Sequence, residues 1–185
     1  MVAFAIYLLV IRAFIAIDVP EFKIILKFED ELAKLGKMKI VEPENLHFTL
    51  KFLGDIEEDL SEEIKTIIES FKYRTFQVTL RGCGAFPNMS YIKIVWIGAD
   101  EGPIREMSEQ IDEKLRALAF KAEKDHVPHL TVARVKSKIV DMSIFEKYKN
   151  TEFGTFKVEY IKLKKSTLTE EGPIYEDIAT IKLLE

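Results

Sequence analysis

Apolar and polar positions alternate along Arg12–Asp18, a spacing that predicts a strand near 11–17. Pro20 then opens a helix whose apolar positions Phe22, Ile25, Leu26, Leu32 and Leu35 suit one face, and Gly36 ends it. A short strand to Val41 and a turn around Pro43 lead into Leu46–Phe52, which alternates strictly, and an acidic helix near 57–70 follows Gly54. Strands are expected near 75–81 and 91–98, with the glycine-rich segment Gly82–Asn88 between them as an irregular loop. Gly102-Pro103 opens a long helix to about Ala119, and Pro128 precedes a second alternating segment, His129–Ala133. The tail reads as a short helix near 141–149 and strands near 155–164 and 174–184.

Sliding the chain on itself by 82 residues, the separation of His47 and His129, superposes these elements in order. Strand 12–17 lands on 94–99, the Pro20 helix on the Gly102-Pro103 helix, the acidic helix on 139–152, and strand 75–81 on 157–163. The expected fold is therefore α+β and bilobal: two strand-helix-strand-helix-strand units related by a pseudo-two-fold axis, with mainly antiparallel sheets lining a central groove. Lobe 1 spans about 12–90 and lobe 2 about 91–185, after an apolar N-terminal extension over 1–11. That extension is too short to span a bilayer and lacks the basic start of an export signal, so it reads as added strand or an early start codon.

Side chains alternate in a strand, so His47, Thr49 and Lys51 share one face while Phe48, Leu50 and Phe52 share the other. His129 and Thr131 stand in the same relation to Leu130 and Val132. One such triplet would be weak evidence, because a lone histidine on a half-buried strand is usually a core residue. Two in equivalent repeat positions point to a single site, with each imidazole and hydroxyl about 6–7 Å apart on a rigid element and able to bridge a phosphate.

Composition narrows the chemistry. The 185 residues include three histidines and one cysteine, Cys83, which excludes an intramolecular disulfide and leaves no Cys/His set for a structural zinc site. Catalysis must then run through histidines or carboxylates. The net charge of -4 argues against a protein that coats nucleic acid. The charge is uneven, however: 121–140 nets +3 whereas 55–69 nets -6, so a polyanionic partner is expected to approach from the second lobe. Only five amides accompany many Lys and Glu, a balance met in heat-stable proteins.

His47-Phe48-Thr49-Leu50 and His129-Leu130-Thr131-Val132 match the paired His-x-Thr-x tetrads of the two-histidine (2H) phosphoesterases. With Arg12–Asp18, Leu46–Gly54, Gly84-Ala85-Phe86-Pro87 and Pro128–Arg134, the chain from Arg12 onward resembles the archaeal and bacterial RNA 2′,3′-cyclic phosphodiesterases, also called 2′-5′ RNA ligases. The resemblance implies metal-independent hydrolysis of a 2′,3′-cyclic phosphate at an RNA end to a 2′-phosphomonoester, and 2′-5′ joining of ends such as those of tRNA halves. It implies His47 as proton donor to the leaving O3′ and His129 as proton acceptor from water, although the repeat makes the two nearly equivalent in sequence. Thr49 and Thr131 would hold the non-bridging oxygens.

Arg134 is a candidate phosphate partner, Lys51 lies on the predicted histidine face, and Phe86 is a candidate base-stacking ring in its loop. Trp96 reads as core, and His126 as a loop residue. No metal or cofactor is expected. A metal reading would need His47, His126 and His129 with a carboxylate, yet no His-x-His or His-x₃-His spacing exists. Other readings are a relative acting on another 2′-5′ or cyclic nucleotide, and a binding module that cradles an RNA end without turnover. A monomer in the cytoplasm is expected, with no membrane association.

Overall fold

The computed structural model describes residues 9–122, 127–170 and 172–185, so the leader over 1–8 and His126 lie outside the described residues. Strand β1 (Val10–Asp18) is followed by helix α1 (Lys23–Ala33), the short β2 (Met38–Ile40), β3 (His47–Glu57) and α2 (Glu58–Glu69). Strand β4 (Phe76–Asn88) ends the first repeat, and the second runs through β5 (Tyr91–Ala99), α3 (Glu101–Leu115), β6 (His129–Val135) and α4 (Ser143–Tyr148). Strands β7 (Glu152–Val158), β8 (Tyr160–Leu168) and β9 (Pro173–Lys182) complete it. Among the described residues no helix is long and apolar enough to cross a membrane.

The strands form one curled antiparallel sheet in the order β7-β4-β5-β6-β3-β1-β8-β9, with β2 added beside β6. Its centre is a narrow seam, where β3 and β6 meet through the single register pair Phe48↔Leu130. Reading outward from the seam, β3-β1-β8-β9 mirrors β6-β5-β4-β7, which is the pseudo-two-fold relation. The halves of the sheet are not the halves of the chain. Strand β8 pairs with β1, and β4 pairs with β5, so each repeat lends its later strand to the other. This exchange binds the two repeats into one body.

The helices cover one face. Ile25, Phe28 and Leu32 of α1, Ile64 and Ile68 of α2, and Ile104, Met107, Ile111 and Leu115 of α3 are buried against inward residues such as Ile15, Phe48, Leu80, Ile97 and Leu130. Where α1 meets α4 and β7, the rings of Phe28, Tyr148 and Phe153 pack with centroids 4.6–5.7 Å apart. The other face of the sheet is left free to form a groove.

Two sequence expectations change here. Gly82–Asn88 is not a loop: β4 continues through it to Asn88, turning at Gly82, whose φ of +69° and close approach to the Lys149 carbonyl exclude a side chain. The tail strand expected over 155–164 is two strands broken at Glu159.

Glu29 of α1 is buried, with an oxygen that has no hydrogen-bond partner among the described residues. Burial first, and then Asp30, Glu42 and Glu21, push its pKa up to about 8. The folded state therefore keeps a proton that the unfolded chain releases near pH 4.5, and stability falls as pH rises between those values. Glu29→Gln, which has no proton to lose, should flatten the decline in Tm across this window, as a pH series of thermal melts would show; an unchanged slope would refute the assignment.

Candidate active site

Histidines 47 and 129 are the first residues of β3 and β6, and each is fixed in the same way. His47 Nδ1 donates to the Asn45 carbonyl at 2.7 Å, and His129 Nδ1 donates to the Val127 carbonyl at 2.8 Å. A carbonyl accepts only from a protonated nitrogen, so in each neutral ring Nε2 carries the lone pair and is the atom that exchanges protons. The antiparallel register through Phe48↔Leu130 runs on so that His47 lies toward Thr131 and Thr49 toward His129. The two tetrads thus form four corners of a site astride the pseudo-dyad. All four residues line a groove of about 870 Å³.

Simple alternation fails immediately after each threonine. On β3 the register passes from Ala16↔Thr49 to Ile15↔Lys51, and on β6 from Trp96↔Thr131 to Val95↔Ala133. Leu50 and Val132, equivalent in the repeat, are the extra residues of two matching β-bulges. A bulge inverts the faces that follow. Lys51, expected in the groove, is therefore buried on the helix side, with Nζ 2.6 Å from Asp112 Oδ1 of α3 and donating to the Lys121 carbonyl. It is not placed to touch substrate. Phe52, expected in the core, is 61% exposed and lines the groove. On the second repeat the same inversion brings Arg134 into the groove. The site is consequently asymmetric where its two halves could have matched: one bulge delivers an aromatic ring and the other a guanidinium.

Phe86 belongs to β4 rather than to a loop, and its ring stands edge-on to His129, with centroids 4.9 Å apart at 87°. It supports the imidazole instead of standing free for a base. Trp96, expected in the core, is half-buried above Gly84, where any Cβ would collide with the indole, and it packs on Phe86. On the other repeat His47 is held by Phe14 at 5.0 Å and by Tyr175 at 5.3 Å and 88°. Tyr175, Phe52 and the groove residue Arg12, which pairs with Asp55 at 2.9 Å, escaped sequence reasoning. Only the repeat could have flagged Phe52, as the residue equivalent to Arg134. Cys83 is half-buried, and burial raises its thiol to about 11, which suits a structural residue.

Burial is the main cause that lowers the His47 pKa; the Asn45 carbonyl opposes it, and Lys164, Asp18 and Arg134 add smaller effects of mixed sign. Lys164 and Asp18 belong to a quartet beside the ring. Lys162 lies 2.7 Å from Asp18 and 2.6 Å from Asp177, and Lys164 lies 3.0 Å and 2.7 Å from the same carboxylates. Two ammonium and two carboxylate groups leave the quartet neutral overall, while at His47 Lys164 lowers the pKa and Asp18 raises it. Among the described residues no three His, Cys, Asp or Glu side chains converge as a metal site would require.

A duplicated fold that turns two carbonyl-anchored imidazoles and two hydroxyls onto one groove has the build of a two-histidine phosphoesterase. The comparisons with known proteins agree. The model of the LigT-like phosphoesterase family matches twice in succession, over residues 18–96 and 97–175, and the chain belongs to that family. The two matches also reproduce the internal repeat. The chain is 45% identical over 174 residues to the RNA 2′,3′-cyclic phosphodiesterase of Methanocaldococcus jannaschii, covering 90% of this chain and 98% of the relative. It is 40% identical to the enzyme of that name from Archaeoglobus fulgidus, over 90% and 97%. Among solved structures, a Thermus thermophilus protein superposes with a TM-score of 0.82 at 24% identity, covering 93% of this chain and 97% of that one. Escherichia coli LigT complexed with 3′-AMP superposes at 0.73 and 22% identity, over 95% and 99%.

Proposed function

We propose that this phosphoesterase opens the 2′,3′-cyclic phosphate at an RNA end to a 2′-phosphomonoester without a metal ion. The carrying observation is the pair of Nδ1-anchored histidines, each with a threonine across the seam, facing one groove. The names of the archaeal relatives and the 3′-AMP held by LigT in the same fold support the substrate class. In the reaction a water oxygen attacks phosphorus, His129 Nε2 takes the water proton, the P–O3′ bond breaks, and His47 Nε2–H protonates the departing O3′. Thr49 and Thr131 hold the non-bridging oxygens in line, and Arg134 faces the growing negative charge. With a free 5′-hydroxyl end in place of water as the nucleophile, the same attack and P–O3′ cleavage give a 2′-5′ linkage, so tRNA halves in the cytoplasm are fitting substrates for a monomeric enzyme of this kind.

The lowered His47 pKa imposes a condition on its role as donor. Free His47 is neutral near pH 7, and the phosphate anion must restore the proton by favouring the imidazolium. Binding of a non-hydrolysable analogue of the nucleoside 2′,3′-cyclic phosphate at pH 7 should therefore take up a proton, read as a difference in binding enthalpy between buffers of unlike ionisation enthalpy. Binding without uptake would assign His47 the acceptor role instead. The reaction itself is tested by incubating an RNA ending in 2′,3′-cyclic phosphate with chelator present; product carrying the phosphate on O2′ is expected. Phosphate on O3′, or loss of turnover with chelator, would overturn the proposal.

A further inference from the structure

A second cavity, of about 690 Å³, adjoins the catalytic groove along the same two strands. On β6, Arg134 lines the groove, while Val135 and, just past the strand's end, Lys136 line the second cavity; on β5, Ile94 lines the groove, while Ile92 and Lys93 line the second cavity. Arg134 and Lys136 are two residues apart in the chain, on either side of the end of β6. The second cavity is walled by Lys93, Lys136 and Lys138, all exposed, and its described lining has no carboxylate. Its apolar wall includes Met89, Met142 and Tyr91, which are 46%, 37% and 59% exposed. The Lys93 ammonium lies 4.7 Å from the centre of the Tyr91 ring. The hairpin that carries Tyr91 is pinned, because Asn88 Oδ1 accepts from the backbone N–H groups of Ser90 and Tyr91 at 3.0 Å each.

Unopposed lysines beside an exposed aromatic ring, on a chain of net charge -4, make a local exception to the surface. Lysines that meet phosphates and a ring that stacks any base are the two elements of sequence-tolerant binding to single-stranded nucleic acid. The cavity follows directly on Arg134, where the chemistry ends. We infer that this cavity is a second RNA-binding site, which holds the nucleotides preceding the cyclic phosphate and makes the enzyme prefer an oligonucleotide to a mononucleotide. The inference rests on the RNA reading above. An acidic protein would be a different partner for the same charges, but the stacking ring and the shared strands favour the body of the substrate.

The test compares adenosine 2′,3′-cyclic phosphate with an oligoribonucleotide of about eight residues that ends in 2′,3′-cyclic phosphate, a length within the range one such binding face covers. In the variant Lys136→Glu/Lys138→Glu, KM for the oligonucleotide should rise at least about tenfold at low salt, with its kcat and both mononucleotide parameters unchanged. The dependence of log KM on log salt should flatten by about 0.7 for each lost phosphate contact. Tyr91→Ala should raise the same KM without changing the salt slope. Unchanged oligonucleotide kinetics, or an equal loss on both substrates, would overturn the inference. Fluorescence anisotropy with the same oligonucleotide ending in a 3′-hydroxyl separates the two proposals. Weakened binding in the lysine variant supports the second site even if wild-type protein hydrolyses neither substrate, a result that would remove only the proposed reaction. Equal binding by wild type and variant removes the second site.

Discussion

Alanine at His129, or at His47, lowers kcat on a 2′,3′-cyclic phosphate substrate by about 10²–10⁴-fold, the usual cost of losing a positioned acid or base. Both rings stand at the groove face and are held by a local carbonyl and by neighbouring rings, so their removal leaves the packed face of the sheet intact. Thermal melts of the two variants should therefore stay close to the wild type. The double variant should lose much less than the product of the single losses, because acid and base serve one transition state. Steady-state rates with matched melts check the prediction. A near-normal rate in either single variant would remove that histidine from the reaction.

The second large effect concerns stability, at a residue that looks functional in sequence. Lys51→Ala leaves the Asp112 carboxylate facing the core without the ammonium 2.6 Å away, and breaking a buried pair on one side costs about 3–5 kcal/mol. Denaturant melts should show that loss, with kcat/KM of the still-folded protein nearly unchanged because Lys51 does not face the groove. The variant Lys51→Met/Asp112→Leu, which removes both charges, should recover most of the stability. A fall in kcat/KM with stability preserved would put Lys51 back among the groove residues.

Lys51 also shows how far alternation could be followed. Period-two reading put His47, Thr49, His129 and Thr131 on one kind of face, and all four line the groove, since each lies ahead of its bulge, where the strand is regular. Past Leu50 the same rule gave the wrong face for Lys51 and Phe52, because a bulge shifts register by one residue and leaves no mark in a stretch that alternates as strictly as Phe48–Phe52. Gly82–Asn88 misled for a related reason. Its glycines serve a turn within a strand and make room for the Trp96 ring, and both requirements come from partners distant in sequence.

The repeat itself, its elements, and the pairing of two His-x-Thr tetrads are written in the sequence, because periodicity and duplication are local and additive properties of a chain. Which strand stands beside which is not. The exchange of β4 and β8 between repeats, the rings of Tyr175 and Phe86 on the two imidazoles, and the placing of Phe52 and Arg134 in one groove were decided by tertiary pairing. Each depends on contacts between residues tens of positions apart, whose cost and gain are settled only when the sheet closes around its seam.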